Sequence, residues 1–338
     1  MKEVYPGIFS IREGGGLARV IKPPENVYIV AGSDGLIFDA GYGTRKAVRT
    51  LIKEIGKIKK IYEEKGNKFN LTRVIPSHSH PDHFSGLKLL RKKLNLKIIL
   101  TKEMAVTIKN EENFSKSFEE SSEDYFKIKK RKKKNSNRLG IKIQRKIYRW
   151  FYRYGYGVSY IDDPEEIIDE NSEIVINNDE KWKIFPSPGH AIDHISLYNE
   201  KKGVLFSGDN ILEHVTTWLG PPTCSVEDYV ESIKTIQKLP NLNLILPAHG
   251  IPIENPSERI AKILNHRKER ADQVMKLITE NQNSGITPTE IIDKLYPNER
   301  RFIHGLARGW VCLTLKMFEE KGLIKKAPGK KEYKFLPI

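Results

Sequence analysis

His78-Ser79-His80-Pro81-Asp82-His83 places four residues able to bind a metal within six positions. Three imidazoles and a carboxylate crowded together are poorly solvated when buried, and the imidazoles repel one another once protonated. Such a cluster is tolerable mainly where a cation organises it. The stretch reads as half of a metal site. Upstream, Leu71-Thr72-Arg73-Val74-Ile75-Pro76 has the composition of a strand that delivers the chain directly into it. Downstream, Pro81 suits a first helical turn, and Leu87, Leu90 and Leu94 keep helical spacing. His78 and His80 therefore fall in the loop before a helix, and Asp82 and His83 at its start. The two pairs point in different directions, as two adjacent metal ions would require.

The succession of apolar strand, turn and polar residue recurs along the chain. Residues 7–11, 27–30 and 36–38 read as short strands around a Gly32-Ser33-Asp34-Gly35 turn. Asp39 ends the last of them, where a carboxylate serves either a turn or a site. A helix is predicted over 45–61, because Val48, Leu51, Ile52, Ile55 and Ile58 recur every three to four residues. Strand signals at 97–100, 173–176 and 182–185 follow, the last leading to Pro186-Ser187-Pro188-Gly189-His190 and then Asp193-His194. A further apolar run ends at Gly208-Asp209. After a helix predicted over 226–239, another ends at Pro247-Ala248-His249-Gly250. Strand ends of this kind are where a buried sheet hands polar groups to a site on its edge.

Lys and Arg number 58 against 43 acids, a net charge of +15, and the excess is concentrated. Residues 127–153 hold thirteen basic residues and no acid; removing those thirteen leaves 45 basic residues against the 43 acids. An anionic partner is expected from such clustering. In this block Lys130, Arg131, Lys132, Lys133, Arg145, Arg149 and Trp150 are candidate nucleic-acid contacts, and Ile143, Ile147, Trp150 and Tyr154 recur at helical spacing. A basic helix with an aromatic stripe can bind a nucleic-acid backbone and stack bases, lie on an anionic membrane surface, or pack onto its own domain. The two cysteines, Cys224 and Cys312, give no disulfide framework. Residues 1–6 lack an apolar leader, and no run of about 18 apolar residues occurs, so a cytoplasmic chain is expected.

From residue 256 onward the pattern changes to helices predicted over 256–281, 288–296 and 304–321, with a strand at 333–335. Asn255-Pro256-Ser257-Glu258 and Thr287-Pro288-Thr289-Glu290 both read as capping boxes with Pro in the first turn, and Ile286 with Ile291 as a hydrophobic staple. Three helices and a terminal strand resemble a winged helix, which contacts nucleic acid in some proteins and only covers a neighbouring domain in others.

His-x-His-x-Asp-His, a later Gly-His, a Gly-Asp and a final His, each after an apolar strand and preceded by Asp39, together resemble the pattern of the metallo-β-lactamase superfamily over 1–255. That resemblance implies an α/β fold, a four-layer αβ/βα sandwich with two metals at one sheet edge, followed by a winged-helix-like domain over 256–338. Carried over, His78, His80 and His190 hold one metal, Asp82, His83 and His249 the other, and Asp209 bridges them. Imidazole and carboxylate suit two Zn²⁺ ions, with Mn²⁺ or Fe compatible with the same donors. A water shared by two such ions would be deprotonated near neutral pH, giving a hydroxide nucleophile. Asp82, Asp39 and His194 are the candidates for catalytic roles, the last two as groups that orient ligating imidazoles.

A closer similarity, to the β-lactamase-like protein 2 group, rests on Gly208-Asp209-Asn210 with Thr216-Thr217-Trp218, on Pro247-Ala248-His249-Gly250-Ile251-Pro252-Ile253, on His266-Arg267, and on Thr287-Pro288, Leu295-Tyr296 and Ala307-Arg308-Gly309. It implies an endoribonuclease acting on single-stranded RNA, and close relatives of the group act as thioesterases. The chain departs from the group in an insertion at about 103–172, which contains the basic and aromatic block. Two functions follow: a metal-dependent nuclease whose insertion grips phosphates, or a hydrolase of thioesters, lactones or related esters whose insertion is a lid or a membrane-surface anchor. The gap between Asp209 and His249 is too short for the extra domain of the superfamily's processing nucleases. The chain also lacks a dinucleotide-binding glycine motif, which disfavours redox chemistry.

Overall fold

Val27 to Val30 and Leu36 to Phe38 are continuous apolar runs, as strands covered on both faces must be, and every one of these residues is buried. The computed structural model of the chain describes residues 1–14, 23–119, 122–127, 149–169, 172–177 and 179–338. Among them, β1 (Lys2–Tyr5), β2 (Ile8–Glu13), β3 (Glu25–Val30), β4 (Gly35–Phe38), β5 (Leu71–Ile75), β6 (Lys97–Thr101) and β7 (Glu166–Ile168) form one sheet in sequence order. The first four are antiparallel and the last four parallel. The second sheet has the order β12 (Leu244–Pro247), β11 (Val204–Gly208), β10 (Ile195–Asn199), β9 (Glu180–Pro186), β8 (Glu173–Ile176), with β11 and β12 parallel.

The two sheets pack face to face. Phe38 of β4 stacks on Phe206 of β11 at 5.1 Å, and Trp182 of β9 stacks on the same ring at 5.0 Å. At the rim, Tyr28 OH and Asn26 Nδ2 of β3 both donate to the carbonyl of Pro247, at 2.8 and 2.9 Å. These bonds lock the end of β12 to the first sheet. Helices lie outside. On the first sheet, α1 (Arg45–Glu64) starts at Thr44, whose side chain accepts from Ala47 N, and buries Val48, Leu51, Ile55 and Ile58. It runs almost a turn beyond the predicted end. α2 (Pro81–Phe84) and α3 (Leu87–Leu94) follow β5, and α3 stops where Asn95 turns left-handed. This is the α/β sandwich, two sheets with helices outside, that the resemblance implies.

The insertion is structured where it is described. It carries α4 (Lys102–Thr107), α5 (Glu111–Lys116) and α6 (Ser122–Phe126), and it supplies β7 to the first sheet. The helical stripe predicted through Trp150 and Tyr154 is corrected in part: Phe151–Tyr156 is a π-helical turn, closed by Gly157 at φ +76°, and Ile143 and Ile147 lie outside the described residues. Tyr156 and Tyr152 pack inward, on Tyr42 at 5.4 Å and on Phe114 at 5.9 Å. Trp150 and Tyr154 stay 63% exposed, 5.9 Å apart. Of the basic candidates, Lys130, Arg131, Lys132, Lys133 and Arg145 lie outside the described residues, and Arg149 is ion-paired with Glu111.

α7 (Val226–Gln237) covers the second sheet. Beyond it lie α8 (Pro256–Glu280), α9 (Pro288–Leu295), α10 (Arg301–Glu320) and an antiparallel pair, β13 (Ile324–Ala327) with β14 (Lys334–Pro337). The capping box at Thr287 is complete, with Glu290 reaching back to the Thr287 amide. The one expected at Asn255 is not formed, because Asn255 makes no side-chain cap bond there. Ile260, Ile263 and Leu313 join the apolar cluster of Leu205, Ile233 and Ile245, so these helices are seated on the sandwich. Phe126 of the insertion is fully buried in the other apolar cluster of the tail, under Arg308, and its carbonyl accepts from Tyr333 N. Among the described residues no helix is long and apolar enough to cross a membrane.

Candidate metal centre

Parallel strands end at the same edge, and the residues just past those ends meet there. β4 delivers Asp39, β5 delivers Ser77 and His78, β11 delivers Asp209 and β12 delivers His249. His190 and His194 come from the connection between β9 and β10. Gly208 turns at φ +49°, and a Cβ there would lie 2.5 Å from His194 Nε2, so only glycine lets the backbone pass this close to the imidazole.

Among the described residues four sets of side chains are each close enough to share one ion, with ligand atoms within 4.8 Å of one another: His78, His80 and His190; Asp82, His83 and His249; His78, His83 and Asp209; and Glu25, Asp39 and His83. Asp209 joins the first two. Its Oδ2 lies 3.4 Å from His190 Nε2 and 3.7 Å from His83 Nε2, and its Oδ1 lies 3.3 Å from His249 Nε2. The seven residues expected at the centre therefore all converge on it.

The imidazoles are held by their far nitrogens. His190 Nδ1 lies 2.9 Å from Trp218 O and 3.2 Å from Thr217 Oγ1, and His249 Nδ1 lies 2.7 Å from Pro24 O. A carbonyl can only accept, so Nδ1 carries the proton in both rings and Nε2 turns a lone pair inward. His83 Nδ1 faces Asp39 Oδ2 at 3.3 Å and Glu25 Oε1 at 3.4 Å, which orients its Nε2 in the same way. The Nε2 atoms of His78 and His83 are buried and make no hydrogen bond. Buried polar atoms are rarely left so. Several of them converging between carboxylates are what a bound divalent cation would satisfy, and the donor set fits one.

The charges agree. Burial, then His83 and the other neighbouring imidazoles, push His78 well below its ordinary pKa. Burial followed by His190 does the same for His80. Both stay neutral, the form that ligates metal. Burial alone would raise Asp209, but His249 and His83 hold it well below the usual carboxylate range. His249 moves the other way: its burial alone would lower it, but Asp209 and Asp82 together bring it up to about 9. A cation held by these side chains would displace such a proton.

One expectation changes. His194 does not orient an imidazole by hydrogen bonding: its Nε2 accepts from the Asp209 amide at 3.1 Å and its Nδ1 meets Ser187 Oγ at 2.9 Å. It holds the Asp209 turn, and burial keeps it neutral, its pKa lowered to about 3. Asp39 does meet His83, and its Oδ1 also accepts from Ser77 N at 2.7 Å. Glu25 escaped the sequence reading. It is fully buried against His83, and burial raises its pKa well above the carboxyl range, more than His83 lowers it. An acid opening an otherwise apolar strand was the available signal.

Exposed apolar side chains stand next to site residues in sequence: Ile192 after His190, Ile251 after His249, and Val215 and Trp218 on the loop that holds His190. The Phe118 ring lies 6.0 Å from the His80 ring.

The family model of the metallo-beta-lactamase superfamily matches residues 22–249. A beta-lactamase-like protein 2 homolog of Caenorhabditis elegans is 28% identical over 158 residues, 47% of this chain and 51% of that protein. An atrochrysone carboxyl ACP thioesterase of Aspergillus fumigatus is 27% identical over 119 residues, 32% of this chain and 36% of that protein. The chain thus spans about half the length of the first relative and about a third of the second. The crystal structure of a beta-lactamase domain protein from Burkholderia ambifaria superposes with a TM-score of 0.73 over 100% of this chain and 93% of that one, at 18% identity, a likeness of fold. With the family match over residues 22–249, more than half of its length, the chain belongs to the metallo-β-lactamase superfamily.

Proposed function

We propose that this protein is a hydrolase that uses two divalent metal ions, zinc first among them with manganese or iron compatible, to cut a phosphodiester of single-stranded RNA. His78, His80 and His190 would hold one ion, Asp82, His83 and His249 the other, and Asp209 would serve both. Bound there, such ions supply Lewis acidity, which makes a water acidic near neutral pH and polarises the oxygen of the bond under attack. The observation that carries the hydrolytic reading is the sharing of Asp209 between two three-residue sets, in each of which one imidazole, His190 or His249, has its tautomer fixed by a backbone carbonyl.

The chain's own residues do the positioning. Trp218 O and Pro24 O hold His190 and His249, Asp39 and Glu25 hold His83, and His194 holds the amide of Asp209. Asp82 keeps intermediate exposure at the mouth, 3.7 Å from His249 Nε2, where it can receive a proton from an approaching water.

RNA as the substrate is supported by Trp150 and Tyr154. Both are exposed near Arg149 and Arg153, Trp150 just before and Tyr154 within a π-helical turn whose Tyr156 carbonyl accepts from Gly43, at the end of the basic run. Aromatic faces stack unpaired bases, and the cations meet phosphates. The three C-terminal helices and the two-stranded pair support a winged-helix-like unit over 256–338 beside a catalytic unit over 1–255. A second reading, hydrolysis of an acyl thioester or related ester, is favoured by the exposed aliphatic Ile192, Val215 and Ile251 close to site residues in sequence and by the activity named for the Aspergillus relative.

The test is cleavage of labelled single-stranded RNA, single-stranded DNA and an acyl-thioester panel, with a variant lacking residues 127–153 alongside. RNA cleavage that falls steeply with salt and is lost in the deletion is the expected result. Thioester turnover insensitive to salt and to the deletion would replace it with the second reading.

A further inference from the structure

Arg267 of α8 is a guanidinium buried to 8% exposure, and no carboxylate among the described residues forms an ion pair with it. Burying an unpaired charge is costly, and burial lowers its pKa from the ordinary value. What faces it is the loop between β11 and α7. Nη2 donates to Thr217 O at 2.6 Å, and the guanidinium lies 5.1 Å from the Tyr229 ring centroid, the ring whose OH donates to Asn210 O. Two turns earlier on the same helix, Arg259 donates from Nε to Leu212 O at 2.6 Å and from Nη2 to Val215 O at 2.8 Å. α10 closes the other side: a Cβ on Gly309 would lie 2.8 Å from Leu219 O.

This loop is the one that holds His190. Thr217 Oγ1 and Trp218 O both face His190 Nδ1, and Cys224 Sγ donates to the His190 carbonyl at 2.7 Å. We infer that Arg267 is a positioning residue for the metal centre: from the C-terminal helices it fixes the Thr217–Trp218 carbonyls, and through them the ring orientation and tautomer of His190. The tail is then part of the centre's construction. This rests on reading His190 as a metal ligand. With Nε orphaned, the guanidinium is satisfied by the loop carbonyl and by Tyr229, so the helix and loop are set in one register.

The test is stepwise cobalt(II) titration of the full chain, followed by visible absorption and by competition with a chromophoric chelator. The variants are Arg267→Met, Arg267→Lys, Thr217→Val and Ile292→Ala, the last opening a cavity in the tail's own apolar cluster. Arg267→Met is expected to weaken one of two ions about 10- to 100-fold and to alter its spectrum, leaving the other unchanged. Arg267→Lys should recover part of the loss, since an ammonium can still donate to Thr217 O. Thr217→Val should weaken the same ion less, and Ile292→Ala should lower the thermal midpoint without touching either affinity.

Arg267→Met binding both ions as the parent does would overturn the inference, as would an equal loss in Ile292→Ala. If Arg267→Met does not fold, Arg267→Lys and Thr217→Val decide: unchanged affinity in both rejects the role. A parent protein that takes up no second ion would instead reject the dinuclear reading of the centre.

Discussion

Asp39 Oδ2 lies 3.3 Å from His83 Nδ1, and both side chains are fully buried. The carboxylate thereby decides which nitrogen of His83 faces the cluster. Asp39→Ala is expected to weaken divalent-ion affinity about 10- to 100-fold, with the fold retained by circular dichroism. Asp39→Asn should lose less, because asparagine tolerates the left-handed φ of 63° at this position and its amide oxygen can still accept from Nδ1. Equal affinity in the parent and Asp39→Ala, read by competition with a chelator, would remove the role.

Thr287 and Asn255 separate a working helix cap from a look-alike. Thr287→Ala removes a capping box that exists and should cost about 1 kcal/mol of stability by urea denaturation. Asn255→Ala removes no side-chain cap bond and should stay within about 0.5 kcal/mol. A reversed order would mean that the caps contribute through something other than these bonds.

That contrast shows what the sequence conveys and what it omits. Asp39, His78, Asp209 and His249 were legible because each follows a short apolar run broken by Gly, Pro or a polar residue, and parallel strands bring such ends to one edge. Glu25 was not, since an acid at a strand start reads as a solvated end until the second sheet is laid over it. The carbonyls of Pro24 and Trp218 that hold His249 and His190 carry no side-chain identity and leave no trace in composition. The sequence similarly cannot say that Asn255 lacks its bond, because both segments share the same residue types. At 151–156 the helical period was read correctly as a helical turn but not as a π turn, where the packing of Tyr152 and Tyr156 on Phe114 and Tyr42 prevails.

Asp34 gives a pH dependence away from the centre. Its burial would raise the pKa, but hydrogen bonds from Thr72 and Arg73 and the Arg73 charge at 2.6 Å lower it overall. A depressed folded pKa stabilises above the unfolded value of about 3.9 and loses that contribution as pH falls through the folded value. Asp34→Asn should therefore lower the thermal midpoint at pH 7, and the gap to the parent should shrink below about pH 4. A gap constant from pH 7 to pH 3 would assign the effect to something other than this charge.

Trp150 and Tyr154 test the RNA reading. Base stacking on one aromatic contributes about 1–3 kcal/mol, so Trp150→Ala should weaken binding of labelled single-stranded RNA about 5- to 150-fold, measured by fluorescence anisotropy on the Asp209→Asn background. The neighbouring Tyr152→Phe, which keeps the inward ring on Phe114, should leave affinity close to the parent. Unchanged binding in Trp150→Ala would shift the substrate reading toward the acyl thioester.

The most direct measurement is hydrolysis by chelator-stripped protein during readdition of metal, alongside His78→Ala and Asp209→Ala and with bound metal counted by elemental analysis. The account predicts no activity in stripped protein, return of activity approaching two equivalents of a divalent ion, and loss of both activity and metal in the two variants. Full activity in stripped protein, or in either variant, would contradict it.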